Sequence, residues 1–326
     1  MMTFDHLSPA ARWVFLAIVV ALVASSAATI LLKRRRPDHD FSELRARVRT
    51  WWVIVGLFAV SMLLSREGAI VFFACVSALA LREYLTLIPP RVADWRVLIW
   101  AYLCVPLQYL WIYLEWYGMF IIFIPVYAFL FLPTRLVLLG RTEGFIQSTS
   151  ALHWGLMTTV FSLSHAAYLF VMEPGAAPRW LPQWSSDADM ASAGPGLLLF
   201  LVMLTELNDI FQYLWGKSFG RIRIAPTVSP GKTLAGFLGG VATTTALAAA
   251  IGPWLTFMDR THAMLGGLLI ALAGVAGDLS ISALKRDLGV KDSGKSLPGH
   301  GGILDRVDSL TYSAPLFFHY VWFGYG

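Results

Sequence analysis

Apolar runs long enough to cross a bilayer constrain this chain more than any other feature. A spanning helix needs about 20 mostly apolar residues, and helix is the state in which such a run satisfies its own backbone in lipid. Runs of this kind fall near 12–32, 51–65, 68–88, 97–115, 117–134, 152–172, 196–216, 234–257, 263–284 and 307–324. The second is short, and only Arg66-Glu67-Gly68 separates it from the third, so the pattern predicts ten spans, or nine if that pair is one. Composition agrees: 57% of the 326 residues are hydrophobic and 14% charged, against roughly 25% charged in soluble domains. The expectation is an all-α polytopic membrane protein.

Charge sets the orientation. A net charge of +5 invites a nucleic-acid reading, but the positions exclude it. Ten spans divide the 25 Lys+Arg into 4 on one side (Arg12, Arg66, Arg179, Arg260) and the other 21 opposite. By the positive-inside rule the rich side is cytoplasmic, so both termini are expected outside, in a multi-pass cell inner membrane. The first run ends in Lys33-Arg34-Arg35-Arg36, a stop-transfer pattern rather than a cleaved signal, and those cations suit anionic headgroups. Cys75 and Cys104 sit alone in apolar runs and predict neither a disulfide nor a metal site. Three regions follow: an anchor and basic segment at 1–50, a helical block at 51–190 closed by the Pro/Gly/Ser/Asp-rich stretch 173–195, and a third region at 191–326 that carries most of the polar chemistry.

That chemistry sits at two loops, 217–233 and 285–306, and at the runs beside them. Charge inside a span is costly and suggests function, which singles out Glu206, Asp209 and Asp278. Asp278, Ser282 and Lys285 are spaced to share one helix face, and Asp305 and Asp308 share another at the start of the last run. Between them lies Pro298-Gly299-His300-Gly301-Gly302, whose glycines permit positive φ and exposed amides that suit anions. Carboxylates from two helix ends with lysines between them match a magnesium–triphosphate reaction, since Mg²⁺ binds one or two carboxylates plus phosphate oxygens and cations offset the charge that moves in phosphoryl transfer. The loop 217–233 ends in Gly231-Lys232-Thr233, but the Gly that a P-loop needs is replaced by Pro226, so that motif is rejected. Lys232 remains a phosphate contact, with Arg221 and Arg223 as candidate headgroup contacts. His6, His39, His153, His165, His262 and His319 lack metal-ligand spacing and are read as structural or exposed.

The pattern Ser282-x-x-Lys285-Arg286-x-x-x-x-Lys291-Asp292-x-Gly294-x-x-Leu297-Pro298-x-His300-Gly301-Gly302-x-x-Asp305-Arg306-x-Asp308 resembles the signature of phosphatidate cytidylyltransferases, the CDP-diacylglycerol synthases. Asp209, Tyr213, Gly216, Gly220, Pro226, Ser229-Pro230, Lys232-Thr233 and Gly236-Phe237 agree with it, so the likeness is specific over about 200–310. It implies transfer of CMP from CTP to phosphatidate, with pyrophosphate released, on the cytoplasmic side of a membrane and without nucleic acid. It also implies Mg²⁺ held by Asp278 and Asp305, with K⁺ as a companion ion, and a homodimer. The catalytic set it implies is Asp278, Asp305, Lys285, Ser282, Lys291, Asp292 and His300. The substrate-binding set is Asp209, Ser229, Lys232, Arg286, Gly301, Gly302, Arg306 and Asp308. The sequence departs from the family at Ile210-Phe211-Gln212, where Thr-Gly-Ala is usual, and at Leu234-Ala235, where Trp-Glu is usual; a carboxylate is thereby missing near the loop 217–233, while the residues matching the metal site are intact. The rival readings are a CTP-dependent lipid kinase of the polyprenol type, a transporter and an inactive scaffold.

Overall fold

The computed structural model describes residues 9–35, 40–64, 66–88, 95–140, 142–172, 193–297 and 301–325. His6, Arg36, His39, most of the stretch 173–195 and His300 lie outside the described residues. Ten long helical rods match the ten apolar runs: α1 (Pro9–Arg35), α2 (Ser42–Leu64), α3 (Arg66–Leu87), α4 (Trp95–Tyr113), α5 (Tyr117–Leu138), α6 (Phe145–Val171), α7 (Ala193–Phe219), α8 (Leu234–Leu255), α9 (Arg260–Asp287) and α11 (Leu310–Tyr325). A single turn, α10 (Leu304–Val307), precedes the last. Eight of these rods are long and apolar enough to cross a membrane. The protein is an all-α polytopic membrane protein.

Several predicted ends moved, among them the start of α6, at Phe145 rather than 152; two have local reasons. α2 starts at Ser42 rather than near 51, because Asp40 accepts the Ser42 N–H at 2.8 Å and so supplies a cap. The last run was expected to start at 307, but the helix resumes only at Leu310, after Asp308 turns its carboxylate onto the Ser309 N–H at 2.8 Å. Two rods contain π turns. That in α5 holds Pro125, which has no N–H to give. In that of α6, Thr158 and Thr159 bond back to the carbonyls of Trp154 and Gly155, a pattern that bends helices.

Helices in lipid associate through close packing and hydrogen bonds rather than the hydrophobic effect. α7, α8 and α9 show both. At Gly267 of α9, a methyl group would lie 2.1 Å from the Ala248 Cβ of α8, so only glycine lets the helices approach so closely. Asn208 of α7 donates to the Ala271 carbonyl of α9 at 3.2 Å and accepts from the Thr244 hydroxyl of α8 at 3.1 Å. Thr205 and Ser313 link α7 to α11 at 3.2 Å.

Contacts between distant turns define two ends of the bundle. At one end Arg66 pairs with Glu115, Tyr117 stacks on Trp322 with ring centroids 4.3 Å apart, and the Tyr320 hydroxyl donates to the His262 carbonyl at 2.9 Å. At the other, Arg135 lies over Trp100 at 5.6 Å, and Glu83 of α3 meets the loop between α9 and α10. Arg286 bonds the Val228 carbonyl, so both polar loops lie together at this second end.

Candidate active site

The polar residues of α7 and α9 reach that end because each helix turns one face to it. On α9, Asp278 and Ser282 are one turn apart and joined, the Ser282 hydroxyl donating to Asp278 Oδ1 at 3.1 Å. Lys285 continues the face and is buried. Its Nζ lies 2.7 Å from Asp305 Oδ1, with side chains 11% and 6% exposed. The other Asp305 oxygen accepts the N–H groups of Ser293 at 2.8 Å and Gly302 at 3.0 Å. Burial raises the Asp305 carboxyl, but the hydrogen bonds from Lys285, Gly302 and Ser293 and the Lys285 charge outweigh it and hold it below the usual carboxylate range. Asp305 is thus a clamp on the chain at Ser293 and Gly302, and its Oδ1, with one hydrogen bond from Lys285, keeps a lone pair for a metal.

A second carboxylate holds the same loop, and sequence reasoning missed it. Glu83, 7% exposed on α3, accepts the Leu304 N–H at 2.9 Å and the Ser293 hydroxyl at 3.3 Å. A carboxylate from each half of the chain thereby fixes one loop. The Gly301-Gly302 turn is shaped by this packing. Gly301 has φ +79°, a region that disfavours side chains. A Cβ on Gly302 would lie 2.2 Å from Ser293 Oγ and 2.3 Å from Glu83 Oε2. Of the amides in this turn expected to suit an anion, that of Gly302 is committed to Asp305, an anion of the protein itself.

Across the cavity, Lys232 reaches Asp278 Oδ2 at 2.6 Å and Gln212 Oε1 at 3.3 Å. The Gln212 amide donates to Asp209 Oδ1 at 3.3 Å, and Ser309 donates to Asp209 Oδ2 at 3.1 Å. Thr233 accepts the Gly236 N–H and caps α8, so Lys232 stands beside a helix N-terminus, where anions are favoured. No strand precedes this turn among the described residues; Arg223 and Thr233 form only an isolated bridge, consistent with rejection of the P-loop. Of the departures, Gln212 faces the site, whereas Ile210 and Leu234 point outward, 49% and 38% exposed. Ser309 joins the site without having been singled out from the sequence, and Gln212 was marked there only as a departure from the family.

These residues enclose a cavity of about 450 Å³ lined by Asp209, Gln212, Lys232, Asp278, Lys285, Asp292, Asp305, Arg306 and Asp308. Of the expected residues, Ser229 and Arg286 stand apart from it. Ser229 shapes the turn that presents Lys232. Arg286 bonds the carbonyls of Val228 and Val290, both at 3.2 Å, and so ties the two loops together. Lys291 and Gly301 line a neighbouring cavity. Asp308 is subject to repulsion from both Asp278 and Asp209. Three mutually repelling carboxylates with serine hydroxyls beside them form an all-oxygen donor set that fits a hard divalent cation. Among the described residues, no three His, Cys, Asp or Glu side chains enclose a metal by themselves. An ion here would share its shell with substrate phosphates.

The profile of the "Cytidylyltransferase family" matches residues 45–323. The chain is 46% identical over 287 residues to "Uncharacterized protein YnbB" of Escherichia coli (strain K12), covering 88% of this chain and 90% of that one. It is 41% identical over 126 residues to a "Phosphatidate cytidylyltransferase" of Staphylococcus aureus (strain COL), covering 38% and 48%. A protein of the same name from Synechocystis is 40% identical over 147 residues, covering 44% and 48%. These two alignments take in about half of each named enzyme.

Proposed function

The chain belongs to the cytidylyltransferase family, and on that premise we propose that it transfers CMP from CTP to a phosphatidate-type lipid phosphate, giving a CDP-lipid and pyrophosphate. One observation carries this reading: carboxylates of α7 and α9, the Asp308 carboxylate, and the cations Lys232, Lys285 and Arg306 converge on one cavity at one end of a membrane bundle.

In the reaction, an oxygen of the lipid phosphate monoester attacks the α-phosphorus of CTP. The bond from that phosphorus to the bridging oxygen breaks, and pyrophosphate leaves with the electron pair. The nucleophile is already ionised, so no strong base is needed; the barrier is the approach of two anions, which fixed cations lower. Lys232 and Arg306 face the cavity and supply positive charge to the triphosphate. Lys285, held on Asp305, keeps the loop at the distance this requires. Asp278, with Asp209 and Asp308 near it, would hold Mg²⁺, which would supply charge neutralisation at the phosphates. The bias of Lys and Arg toward this end supports a cytoplasmic site, where CTP is available.

The test is acceptor choice. Purified protein given CTP and Mg²⁺ should release pyrophosphate when phosphatidate is added and none with diacylglycerol or a polyprenol. Formation of CDP with a lipid alcohol as acceptor would replace this reading with a lipid kinase.

A further inference from the structure

Beside the catalytic cavity lies a larger one, of about 950 Å³, between α1, the start of α2 and the stretches 291–297 and 301–306. The size is toward the upper end of small-molecule sites, which run from about 300 to 1,000 Å³. The two cavities share Asp292 and Arg306. One side is cationic: Arg47, Lys291, Lys295 and Arg306 face Glu43 and Asp292, four positive charges against two negative, or +2 net. Arg47 is paired with Glu43 one turn away. Ala28 and Leu32 of α1 and Leu44 and Val48 of α2 add apolar lining, the α2 residues lying beside Arg47 on the same helix. Leu31 and Trp52 of these two helices are 54% and 38% exposed. The Trp52 indole donates to Ser26 Oγ at 3.0 Å and pins α2 to α1.

A net charge of +2 beside apolar side chains of α1 and α2 suits a phosphate monoester, of about −1.5 to −2 charge at neutral pH, carried on acyl chains. Trp51 also lines the cavity and would stack a nucleobase, so competition by CTP separates a lipid from a nucleotide. α1, Glu43 and Leu44 precede the region matched by the family profile, whereas Arg47 and Val48 lie within it. We propose that this cavity seats the phosphate headgroup of the lipid acceptor, with α1 and α2 guiding its chains and Arg306, which lines both cavities, placed to contact the lipid phosphate and the triphosphate together. The proposal rests on the reading of the protein as an enzyme that uses a lipid phosphate.

The test is photo-crosslinking of the full-length protein in phosphatidylcholine nanodiscs, without CTP. The probe is phosphatidate carrying a diazirine near the glycerol end of one acyl chain. Adducts should fall on residues 25–51 and be displaced by phosphatidate but not by diacylglycerol, CTP or pyrophosphate. Lys295→Gln and Arg47→Gln should each lower labelling about tenfold, the effect of losing one charge-assisted hydrogen bond, and Lys295→Arg should restore it. Adducts elsewhere would overturn the proposal, as would displacement by pyrophosphate, which would make the cavity a site for free phosphates. A parallel transfer assay separates the two claims. Transfer to phosphatidate with adducts elsewhere sinks this proposal alone; adducts on 25–51 without transfer to any lipid sink the enzymatic reading and leave the lipid-phosphate site standing.

Discussion

The loop that closes the site hangs on Glu83, and removing that side chain should release it. In Glu83→Ala the Leu304 N–H loses its acceptor and the Ser293 hydroxyl loses a longer one, at 2.9 and 3.3 Å. Stranding a buried donor costs about 1–3 kcal/mol, and a net neutral hydrogen bond about 0.5–1.5 kcal/mol. Part of this is offset, because Glu83 Oε1 is buried without a partner and its removal relieves a desolvation cost. The balance is about 2–3 kcal/mol, which raises the population of the opened loop roughly 30- to 150-fold. Asp305, bound to Lys285, Ser293 and Gly302, still holds one side, so the loss should be local. Limited proteolysis should cut the loop 288–303 faster in Glu83→Ala and leave the helices protected, while turnover falls by a similar factor. Glu83→Gln keeps one oxygen acceptor and should stay within about 1 kcal/mol of the parent. Wild-type protection and turnover in Glu83→Ala would refute the claim that this carboxylate positions the loop.

Three further outcomes follow from the same geometry. Gly302→Ala forces a Cβ against Ser293 Oγ and Glu83 Oε2; a tight buried site loses about 1–3 kcal/mol to such overpacking, visible as lower thermal stability and lower turnover together. Gln212→Ala removes two long hydrogen bonds, each 3.3 Å, and should raise KM for CTP less than about tenfold with kcat retained; a collapse of kcat would give Gln212 a role in the chemistry itself. Ser296→Cys, on an exposed stretch of the loop, should react with a membrane-impermeant thiol reagent from the cytoplasmic side, and reaction from the opposite side would invert the topology. Position 293 is unsuitable for that probe because Ser293 is 3% exposed.

The rods were legible because a continuous apolar run in lipid has one backbone solution, and even the doubtful pair α2 and α3 resolved as two helices. The charge pattern of α9 was legible too, because i, i+4 spacing puts Asp278 and Ser282 on one face whatever surrounds them. Glu83 was not read, although it stands beside Arg82 inside the predicted run 68–88, where charge suggests function; its partner Ser293 is 210 positions away, a distance that no local pattern reports. The glycine turn was legible as a turn but not in its purpose, because nothing local indicates that the Gly302 N–H is taken by Asp305. Gln212 was noticed only as a departure; its contact with Lys232 depends on how α7 meets the loop before α8. The second cavity was out of reach for the same reason, since α1, α2 and the loop at 291–306 converge only in the folded bundle.

The most direct test follows the phosphorus. Protein given phosphatidate, Mg²⁺ and CTP labelled at either the α or the γ phosphorus should move the α label into a lipid and leave the γ label in pyrophosphate. Asp278→Asn should abolish the transfer while the protein still extracts as a folded membrane protein. Appearance of the γ label in lipid would contradict the account outright, and undiminished α transfer by Asp278→Asn would remove that carboxylate from the centre of it.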